Sequence, residues 1–419
     1  MIILFYVIIL ICLINLLRIS VFLITSDIYS IQQAKRGKQH IRWHLPTISV
    51  VIPAHNEETT IIRALQSVCE NNYPASKVQI IIANDGSTDK TATLVKNFKK
   101  SYKGSHAIRL VTRPNRGKAS ALNYALQHYA TGRIIMCLDS DSYLDKHAIR
   151  AAAQHFRDRN VVALSANVNI IEDGTMLGLA QRFEYMMGYQ MKKGQSLIGI
   201  DYIIGGIGSM FRRSVMKKVE YYDTNTMTED IDLTMKIIVK RRAGQRLAYA
   251  ADSIVYTEPA HTLKELMVQR FRWKYGRSQT FLKHSFAFFS RDKRVTKRLG
   301  WFMLPFVLLQ DLIYSLEPVI FLYFLYVCIV NASAETYLYA FSLWLGILLA
   351  IVWSGTWLSV KERLRLSFYA PMMYLMILVL GIADYYALIK AAILSPKLKS
   401  SIANKHVTWS SPKRHGSNA

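Results

Sequence analysis

Long apolar segments at both ends of the chain constrain its fold more than any other feature. The first extends from Ile2 to Thr25, and three more near the C-terminus cover Phe302–Val330, Tyr337–Trp357 and Ser367–Ala392. Each is long enough to cross the hydrocarbon core of a bilayer as a helix, which takes about 20 residues. The pattern predicts a membrane protein that carries a soluble domain between membrane helices.

The composition agrees with this prediction. The 419 residues include 53 Lys and Arg against 28 Asp and Glu, a formal net charge of +25, while 51% are hydrophobic and the mean hydropathy is +0.14. An apolar chain with only 19% charged residues is not intrinsically disordered. Four Cys without a CxxC pair exclude a disulfide scaffold and a Cys-based zinc site. A basic excess in such a chain is typical of membrane proteins with Lys and Arg on the cytoplasmic side.

The first apolar segment is predicted to be an uncleaved anchor. A secretory signal peptide would need a basic n-region and a small-residue cleavage site, and the sequence has neither. Lys35, Arg36, Lys38 and Arg42 follow the segment. The positive-inside rule therefore places the N-terminus outside and the central domain in the cytoplasm of a multi-pass cell (plasma) membrane protein.

A basic belt precedes the first C-terminal apolar segment. It comprises Lys283, Arg291, Lys293, Arg294, Lys297 and Arg298. Because the belt adjoins a membrane span and no RNA-binding motif is present, anionic lipid headgroups are the favoured partner and nucleic acid is not. Asp311 and Glu317 interrupt the next segment, so part of it can face protein or the interface. One N-terminal and three C-terminal crossings would put the basic tail outside, against the same rule, so the number of crossings stays open.

The central part of the chain alternates short β-rich runs with helical periods. Strands are predicted at 48–52, 78–83, 107–112 and 133–138, and helices at 58–70, 88–99 and 118–129. This alternation is typical of βαβ units and a mostly parallel sheet with flanking helices, whose ligands bind beyond the carboxyl ends of the strands. We divide the chain into an anchor at 1–25, a cytoplasmic α/β domain at 47–260, an amphipathic interfacial segment at 261–300, membrane helices at 301–395 and a basic tail at 396–419.

The Asp139-Ser140-Asp141 motif directly follows an apolar strand. Two carboxylates one residue apart at a strand end can hold one hard divalent cation, Mg²⁺ or Mn²⁺, together with a diphosphate. An isolated motif of this kind is more often a turn or a helix cap, and the strand context favours the metal interpretation.

The Asn84-Asp85-Gly86 motif closes an earlier strand. Gly86 allows a tight turn, and Ser87 or Thr88 can cap the following helix. In addition, Asp85 places a carboxylate at the ligand-binding edge of the sheet, where it can bind a base or a ribose.

The Thr228-Glu229-Asp230 motif precedes a helical run at 231–242. Acidic residues suit a helix N-terminus electrostatically, which is the plain interpretation. Either carboxylate can also act as a general base on an acceptor hydroxyl.

The Gln269-Arg270-Phe271-Arg272-Trp273 motif lies in an amphipathic stretch, 262–289, just before the membrane. Arg272 can neutralise a leaving diphosphate, and Trp273 offers a flat apolar face to a sugar ring. The alternative is an interfacial helix with a snorkelling Arg and a belt Trp.

Taken in order along the chain, these motifs resemble the family 2 glycosyltransferases. They are preceded by Pro53-Ala54-His55-Asn56-Glu57-Glu58, and a Gly-Gly-Ile-Gly-Ser loop at 205–209 lies before Thr228. The resemblance is strongest to the membrane-embedded processive synthases of cellulose, chitin and hyaluronan, and above all to bacterial poly-N-acetylglucosamine synthases. It covers about Thr47 to Trp273 and extends to the flanking spans.

The resemblance implies a GT-A catalytic domain and assigns roles to individual residues. Glu57 and Asp85 match residues that hold the uridine moiety, Lys118 matches a lysine near the donor diphosphate, and Asp139 and Asp141 match the metal and diphosphate site. Gly206, Gly208 and Ser209 match the acceptor-side loop, and Asp230, beside Glu229, matches the general base. Gln269, Arg272 and Trp273 match the group that clamps the diphosphate and stacks the acceptor end. Trp409 with Lys413 and Arg414 resembles the end of many of these synthases.

Three positions depart from the family pattern. His55 replaces the usual Tyr, Asn84 replaces a frequent Asp, and Arg116 stands where a Gly is common. The departures leave the reaction class intact and do not specify the sugar.

The sequence therefore predicts an inverting β-glycosyltransferase that polymerises a UDP-sugar, most simply UDP-N-acetylglucosamine, into an exopolysaccharide of the biofilm type and passes it through the membrane. A divalent cation, Mg²⁺ or Mn²⁺, is the expected cofactor, and the growing polysaccharide and a small membrane subunit are further partners that the resemblance implies. The alternatives are a hyaluronan- or cellulose-type synthase with another sugar, a transferase that adds a single sugar to a lipid carrier, and a non-enzymatic membrane scaffold.

Overall fold

The centre of the protein is one eight-stranded sheet. The structure, a computed structural model, describes residues 2–37, 44–330, 334–355, 357–398 and 400. The strands are β1 (Ile48–Ala54), β2 (Val78–Asp85), β3 (Ala107–Arg113), β4 (Ile134–Cys137), β5 (Ser142–Leu144), β6 (Val161–Ile170), β7 (Ser209–Arg212) and β8 (Arg246–Thr257). The four strands predicted from the sequence are confirmed as β1 to β4.

The strand order places the motif-bearing ends side by side. The order is β3-β2-β1-β4-β7-β6-β8-β5, with β1, β2, β3 and β4 parallel to one another and β7 antiparallel to β4. After β1 the chain adds β2 and β3 on one side and β4 on the other. The order reverses at β1, and such reversals are where open α/β sheets bind ligands.

The inner strands are buried on both faces, as expected for a parallel sheet covered by helices. All seven residues of β1 are buried. Alternate residues point to opposite faces. Val51 and Ile81 therefore enter the core on one face, while Val50 and Ile80 enter the core on the other. A continuous β-branched run, rather than an alternating pattern, is the sequence signature of this arrangement.

Helices cover both faces of the sheet and continue into the terminal segments. They are α1 (Ile2–Gly37), α2 (Ile61–Cys69), α3 (Thr91–Ser101), α4 (Lys118–His128), α5 (Ala148–His155), α6 (Met176–Ile198), α7 (Arg213–Lys218), α8 (Glu229–Lys240), α9 (Leu263–Lys283), α10 (Leu304–Val330), α11 (Ala334–Ser354), α12 (Val360–Tyr369) and α13 (Met373–Ile393). Short single-turn segments lie at Ala75–Lys77, Ser285–Ala287, Ala370–Met372 and Ser395–Lys397, and a π-helical turn, Arg298–Met303, leads into α10.

The N-terminal helix does not end at the predicted boundary. α1 continues to Gly37, and its middle packs on α6, where Phe22 and Thr25 lie against Gly194. The Tyr29 hydroxyl donates a hydrogen bond to the carbonyl of Tyr249 on β8 at 2.5 Å. Contacts of this kind extend the helix beyond its apolar part, because the α/β domain supplies partners for its polar face.

Two stretches of the described chain are long and apolar enough to cross a membrane, Tyr337–Ser354 and Val360–Ile393. α11 ends at Ser354, before the predicted limit at Trp357, because Gly355 breaks the helix. α12 and α13 are joined by a turn that contains Pro371, which lacks a backbone N–H group. The tail residues Lys399, Lys405, Trp409, Lys413 and Arg414, and the basic residues Lys38 and Arg42, lie outside the described residues.

Candidate active site

Asp85, at the end of β2, organises the loop that follows β3. Its side chain is buried, with Oδ1 accepting the backbone N–H of Arg116 at 3.1 Å and Oδ2 that of Gly117 at 2.7 Å. Gly117, at φ +88°, directly precedes α4. Both carboxylate oxygens thereby fix the start of α4, and with it the position of Lys118. The departure at Arg116 does not prevent this, because only its backbone is used.

His55 and Glu57 are held on the other side of Asp85. Nδ1 of His55 lies 2.9 Å from the carbonyl oxygen of Asp85. Glu57 is buried, and its Oε2 accepts the hydroxyl hydrogen of Thr60 at 3.0 Å while its backbone N–H donates to Thr91 at 2.8 Å. This packing places the first motif beside the end of β2, as the resemblance implied.

The ammonium group of Lys118 joins two motifs that are far apart in the sequence. Its Nζ lies 2.7 Å from Oδ1 of Asp139, after β4, and 3.2 Å from Oε1 of Glu229, at the start of α8. Burial disfavours the ammonium, but the charges of Asp139 and Glu229 outweigh it and hold the pKa of Lys118 above its usual value. The lysine is therefore a permanent cation between two carboxylates.

Asp230 lies next to this pair, and both of its carboxylate oxygens accept backbone hydrogen bonds. Its Oδ2 accepts the backbone N–H of Gly206 at 3.0 Å, and its Oδ1 accepts that of Ile231 at 2.8 Å. Burial, followed by the negative charge of Glu229, raises the pKa of Asp230 to about 6, although Lys118 acts in the opposite direction. We call Lys118, Asp139, Glu229 and Asp230 the charged cluster.

The glycine loop before β7 contributes one residue to the charged cluster. A β-carbon built at Gly206 would lie 3.5 Å from Nζ of Lys118 and 3.8 Å from Oδ2 of Asp139. Gly208, at φ +65°, faces Val255 instead, and the side chain of Ser209 is fully buried in β7. Of the three glycine-loop residues predicted to face the acceptor, Gly206 alone lies against the charged cluster.

Asp139 and Asp141 fit a divalent cation by the chemistry of their donor set. Asp139 retains a partly exposed side chain, and Oδ1 of Asp141 accepts the hydroxyl hydrogen of Ser142 at 2.9 Å. Mg²⁺ and Mn²⁺ are commonly bound by one or two carboxylates together with substrate phosphates. Within the described ranges, no group of three or more His, Cys, Asp or Glu side chains is arranged to hold a metal ion, so the remaining ligands would come from substrate and water.

Helix α9 carries the Gln-Arg-Phe-Arg-Trp motif and packs directly on the Thr-Glu-Asp motif. A β-carbon at Gly276 would lie 2.6 Å from Oγ1 of Thr228, and Oε1 of Gln279 accepts the backbone N–H of Met227 at 3.0 Å. Gln269 and Trp273 are half-buried and one turn apart on the same face of α9. This packing brings the two motifs to one site, although about 40 residues separate them in the chain.

Arg270 positions Trp273 without belonging to the charged cluster. Its guanidinium pairs with Glu184 of α6 and lies 4.6 Å from the centre of the Trp273 ring. Burial raises the pKa of Glu184 above its usual value even though Arg270 acts in the opposite direction. Tyr185, the next residue of α6, lies within electrostatic range of both Asp141 and Arg272.

Sequence reasoning did not identify α6 or the role of its side chains. Glu184 and Tyr185 were not assigned, because the run 176–198 carries no motif. Sequence reasoning also missed a buried charge network behind the charged cluster. The network comprises Asp223, Asp232, Lys236, Lys283 and His284. The available signal was Asp232, an acidic residue within the apolar run of α8.

The buried charge network changes the interpretation of the basic belt. Nζ of Lys283 lies 3.0 Å from Oδ1 of Asp232, which is fully buried, and also pairs with Asp223. Burial acts against the charged form of Asp223, but hydrogen bonds from Lys236 and Lys283 outweigh it and lower the pKa of Asp223 to about 2. Lys283 therefore does not face lipid as the sequence predicted, because it neutralises two carboxylates at the end of α9.

Comparison with known proteins agrees with the geometry of the site. Residues 49–220 match the family model described as glycosyl transferase family 2. A poly-β-1,6-N-acetyl-D-glucosamine synthase from Staphylococcus epidermidis is 33% identical over 301 residues, which are 71% of this chain and 69% of that protein. A protein of the same name from Staphylococcus aureus (strain COL) is 33% identical over 265 residues, 62% of this chain and 61% of the relative.

The fold is also similar to that of a solved enzyme. The mannosyltransferase PcManGT from Pyrobaculum calidifontis, solved with GDP-mannose and Mn²⁺, superposes with a TM-score of 0.53 at 19% identity, covering 90% of this chain and 99% of that one. The predicted fold class, an α/β GT-A domain, is confirmed. With the motifs, their spatial order and the relatives in agreement, the chain belongs to glycosyltransferase family 2.

Proposed function

We propose that this glycosyltransferase is a processive, inverting synthase that polymerises UDP-N-acetylglucosamine and passes the product through the membrane. The observation that carries the proposal is the packing of α9 on the Thr-Glu-Asp motif through Gly276 and Thr228. It supports an arrangement in which Trp273 holds the end of a growing chain next to Asp230. The relatives that are named poly-β-1,6-N-acetyl-D-glucosamine synthases support the choice of sugar and of polymer.

The donor side of the reaction is assigned to the strand ends. Glu57 and Asp85 bind the uridine end of the donor. Lys118 neutralises the donor diphosphate, and this diphosphate lies within reach of Asp139. Asp139 and Asp141 hold Mg²⁺ or Mn²⁺, which when bound supplies further positive charge to the diphosphate. Gln269 and Arg272 close over the same group from α9. The GDP-mannose and Mn²⁺ of the similar mannosyltransferase are consistent with a nucleotide-sugar donor and a divalent cation here.

The acceptor side is assigned to Asp230. Its carboxylate takes the proton from the acceptor hydroxyl, the acceptor oxygen bonds to the anomeric carbon, and the bond from that carbon to the diphosphate oxygen breaks. UDP leaves with the electron pair, beside Lys118 and Arg272, and the configuration inverts. A pKa raised to about 6 suits this role, because a general base works best when its pKa is near the operating pH. Glu229 holds Lys118 in place and raises the pKa of Asp230.

A polar cavity beside the middle of α9 supports export of the product. It measures about 190 Å³ and lies between α1, α6, α9 and α10. Arg18, Gln195, Lys274, Gln310 and Asp311 are among the residues that line it. Nζ of Lys274 lies 3.2 Å from Oδ1 of Asp311. Ionisable groups among membrane helices commonly mark a substrate path, and sugar hydroxyls need hydrogen-bonding walls.

The remaining assignments concern location and partners. The two apolar stretches support a multi-pass protein of the cell membrane, with the catalytic domain on the cytoplasmic side, where the sequence places it by its basic residues. Anionic lipid headgroups contact the residues of the basic belt other than Lys283. A small membrane subunit accompanies the synthase.

The proposal is tested by incubating membranes that contain the protein with each radiolabelled UDP-sugar and sizing the product. We expect a long polymer from UDP-N-acetylglucosamine, and none from membranes that carry Asp230→Asn. A polymer from another donor would indicate a hyaluronan- or cellulose-type synthase. A labelled lipid carrying one sugar would support the single-addition alternative. Absence of any transfer would contradict the enzymatic assignment.

A further inference from the structure

A second cavity, at the far end of α8 from the charged cluster, has walls of concentrated positive charge. It measures about 390 Å³, within the range typical of small-molecule sites. α8 has 12 residues and is therefore roughly 18 Å long, so this cavity is separate from the donor site. Its cationic lining comprises Arg241, Arg246, Lys293, Arg294, Lys297 and Arg298.

Only part of this charge is neutralised by neighbouring carboxylates. Arg294 pairs with Asp292, and Nη2 of Arg246 lies 3.0 Å from Oδ2 of Asp158. The side chains of Lys293 and Lys297 are exposed and form no ion pair within the described part of the chain. Four of the six cations therefore lack a paired carboxylate there, and an anion bound among them would relieve their mutual repulsion.

The other two cations are oriented by backbone carbonyls. Nε of Arg241 donates to the carbonyl of Arg294 at 3.0 Å, and Nη1 of Arg298 donates to that of Ile198 at 3.5 Å. A guanidinium has five N–H groups in a planar fork, so one such bond orients it and leaves donors for a ligand. The cavity thus combines oriented guanidinium groups with flexible ammonium groups.

One carboxylate, Asp201, also lines the cavity. Burial raises its pKa to about 7, so near neutral pH it carries only part of a negative charge. With Asp201 fully ionised, the unpaired lining still has an excess of about three positive charges, because one carboxylate offsets one of four cations. This excess matches an anion of two or three charges.

We propose that this cavity binds a phosphate-bearing anion with at least two negative charges, either the headgroup of an anionic phospholipid or a soluble phosphorylated molecule. Guanidinium and ammonium groups together are the protein donors best suited to phosphate oxygens. The ligand bridges the catalytic unit, through Arg241, to the segment before α10, through Lys297 and Arg298.

The neighbourhood of the cavity favours the lipid source. Arg298 begins the π-helical turn that leads into α10, and Trp301 and Phe302 of that turn are exposed, at 43% and 72%. Exposed aromatic residues next to an apolar helix are typical of the membrane interface, where headgroups lie. Both sources present the same chemistry to the cavity, and the experiment separates them.

Binding is measured on the full chain in detergent at pH 8, with saturating UDP so that the donor site is filled. Cardiolipin in mixed micelles with the detergent and inorganic phosphate are the two probes, and the melting temperature is followed as each is added, because a ligand of the native state raises it. The pocket variant is Lys293→Ala with Lys297→Ala. The matched control is Lys217→Ala with Lys218→Ala, which removes equal charge from two exposed lysines of α7.

We expect the apparent Kd to weaken at least tenfold in the pocket variant and less than twofold in the control. A response to cardiolipin alone assigns the site to lipid. Any response to inorganic phosphate, with or without a response to cardiolipin, assigns it to soluble phosphate. Equal weakening in both variants would reduce the effect to general surface charge and overturn the proposal, as would binding of neither probe. Asp201→Asn provides a second test: it should tighten binding at pH 8, and unchanged or weaker binding would also overturn the proposal.

Discussion

Gly276 and Thr228 are in contact so close that a side chain does not fit between them. A β-carbon at Gly276 would lie 2.6 Å from the hydroxyl oxygen of Thr228 and 2.9 Å from its backbone nitrogen. This contact joins α9 to the loop that carries Glu229 and Asp230. The distance between α9 and the residues Glu229 and Asp230 is therefore set by the absence of one methyl group at Gly276.

Gly276→Ala should separate α9 from the Thr-Glu-Asp motif and reduce transfer by at least tenfold. A misplacement of about 1 Å at a catalytic site can cost about 10²-fold. The matched control is Gly188→Ala on α6, where an added β-carbon meets nothing within 4 Å. That change should leave activity unaltered and stabilise the helix by up to about 1 kcal/mol. Initial rates per folded molecule for both variants test the contact, and normal activity in Gly276→Ala would contradict it.

Asp230→Asn should abolish transfer while UDP-sugar binding persists. Asn keeps the shape and can still accept one of the two backbone hydrogen bonds, that from Gly206, but it cannot take a proton, and general-base catalysis is typically worth ~10²–10⁴-fold. Donor affinity by calorimetry and single-turnover rates separate binding from chemistry. Substantial turnover by the purified variant would remove Asp230 from the role of base.

The rate of transfer should fall as the pH drops through about 6. Asp230 must be ionised to accept a proton, and its pKa is raised to about 6, above the usual range of an aspartate. Because Glu229 contributes to that increase, Glu229→Gln should move the acidic limb of the profile to lower pH. Rates between pH 4.5 and 8 on both proteins measure this, and a limb that stays in place in the variant would show that Glu229 does not influence the base.

Transfer should require Mg²⁺ or Mn²⁺ and should be lost in Asp141→Ala. The two carboxylates after β4 are the oxygen ligands that such cations use together with substrate phosphates. Activity should disappear in excess chelator and return when either cation is added in excess. Full activity of the chelated enzyme would refute the metal role.

Trp273→Ala should shorten the polymer while donor binding is less affected. Stacking of a nucleic-acid base on an aromatic ring is worth ~1–3 kcal/mol, and we take the same scale for a sugar ring on Trp273. A loss of ~2 kcal/mol corresponds to roughly thirtyfold faster release of the polymer. Trp273→Phe should be milder, since a ring remains under the Arg270 guanidinium. Product length per folded molecule decides the matter. If Trp273 only anchors α9, both variants would make polymer of normal length at lower yield.

The sequence by itself determined strands β1 to β4, most helices and the motif order, because these follow from local patterns. The β-branched run of β1 and the turn at Gly86 depend on neighbouring residues alone, so β1 to β4 were predicted within a few positions. The motifs identified the reaction class for the same reason, since each is a short segment with its own chemistry.

Only the tertiary structure decided how the motifs meet. Lys118 lies between Asp139, which follows β4, and Glu229, which begins α8. No periodicity in the sequence predicts that contact. Lys283 was predicted to face the membrane and instead neutralises Asp232 in the interior. Such positions are fixed by packing between elements distant in the chain, where a glycine or a buried charge pair determines the distance, and that information is not contained in any one segment.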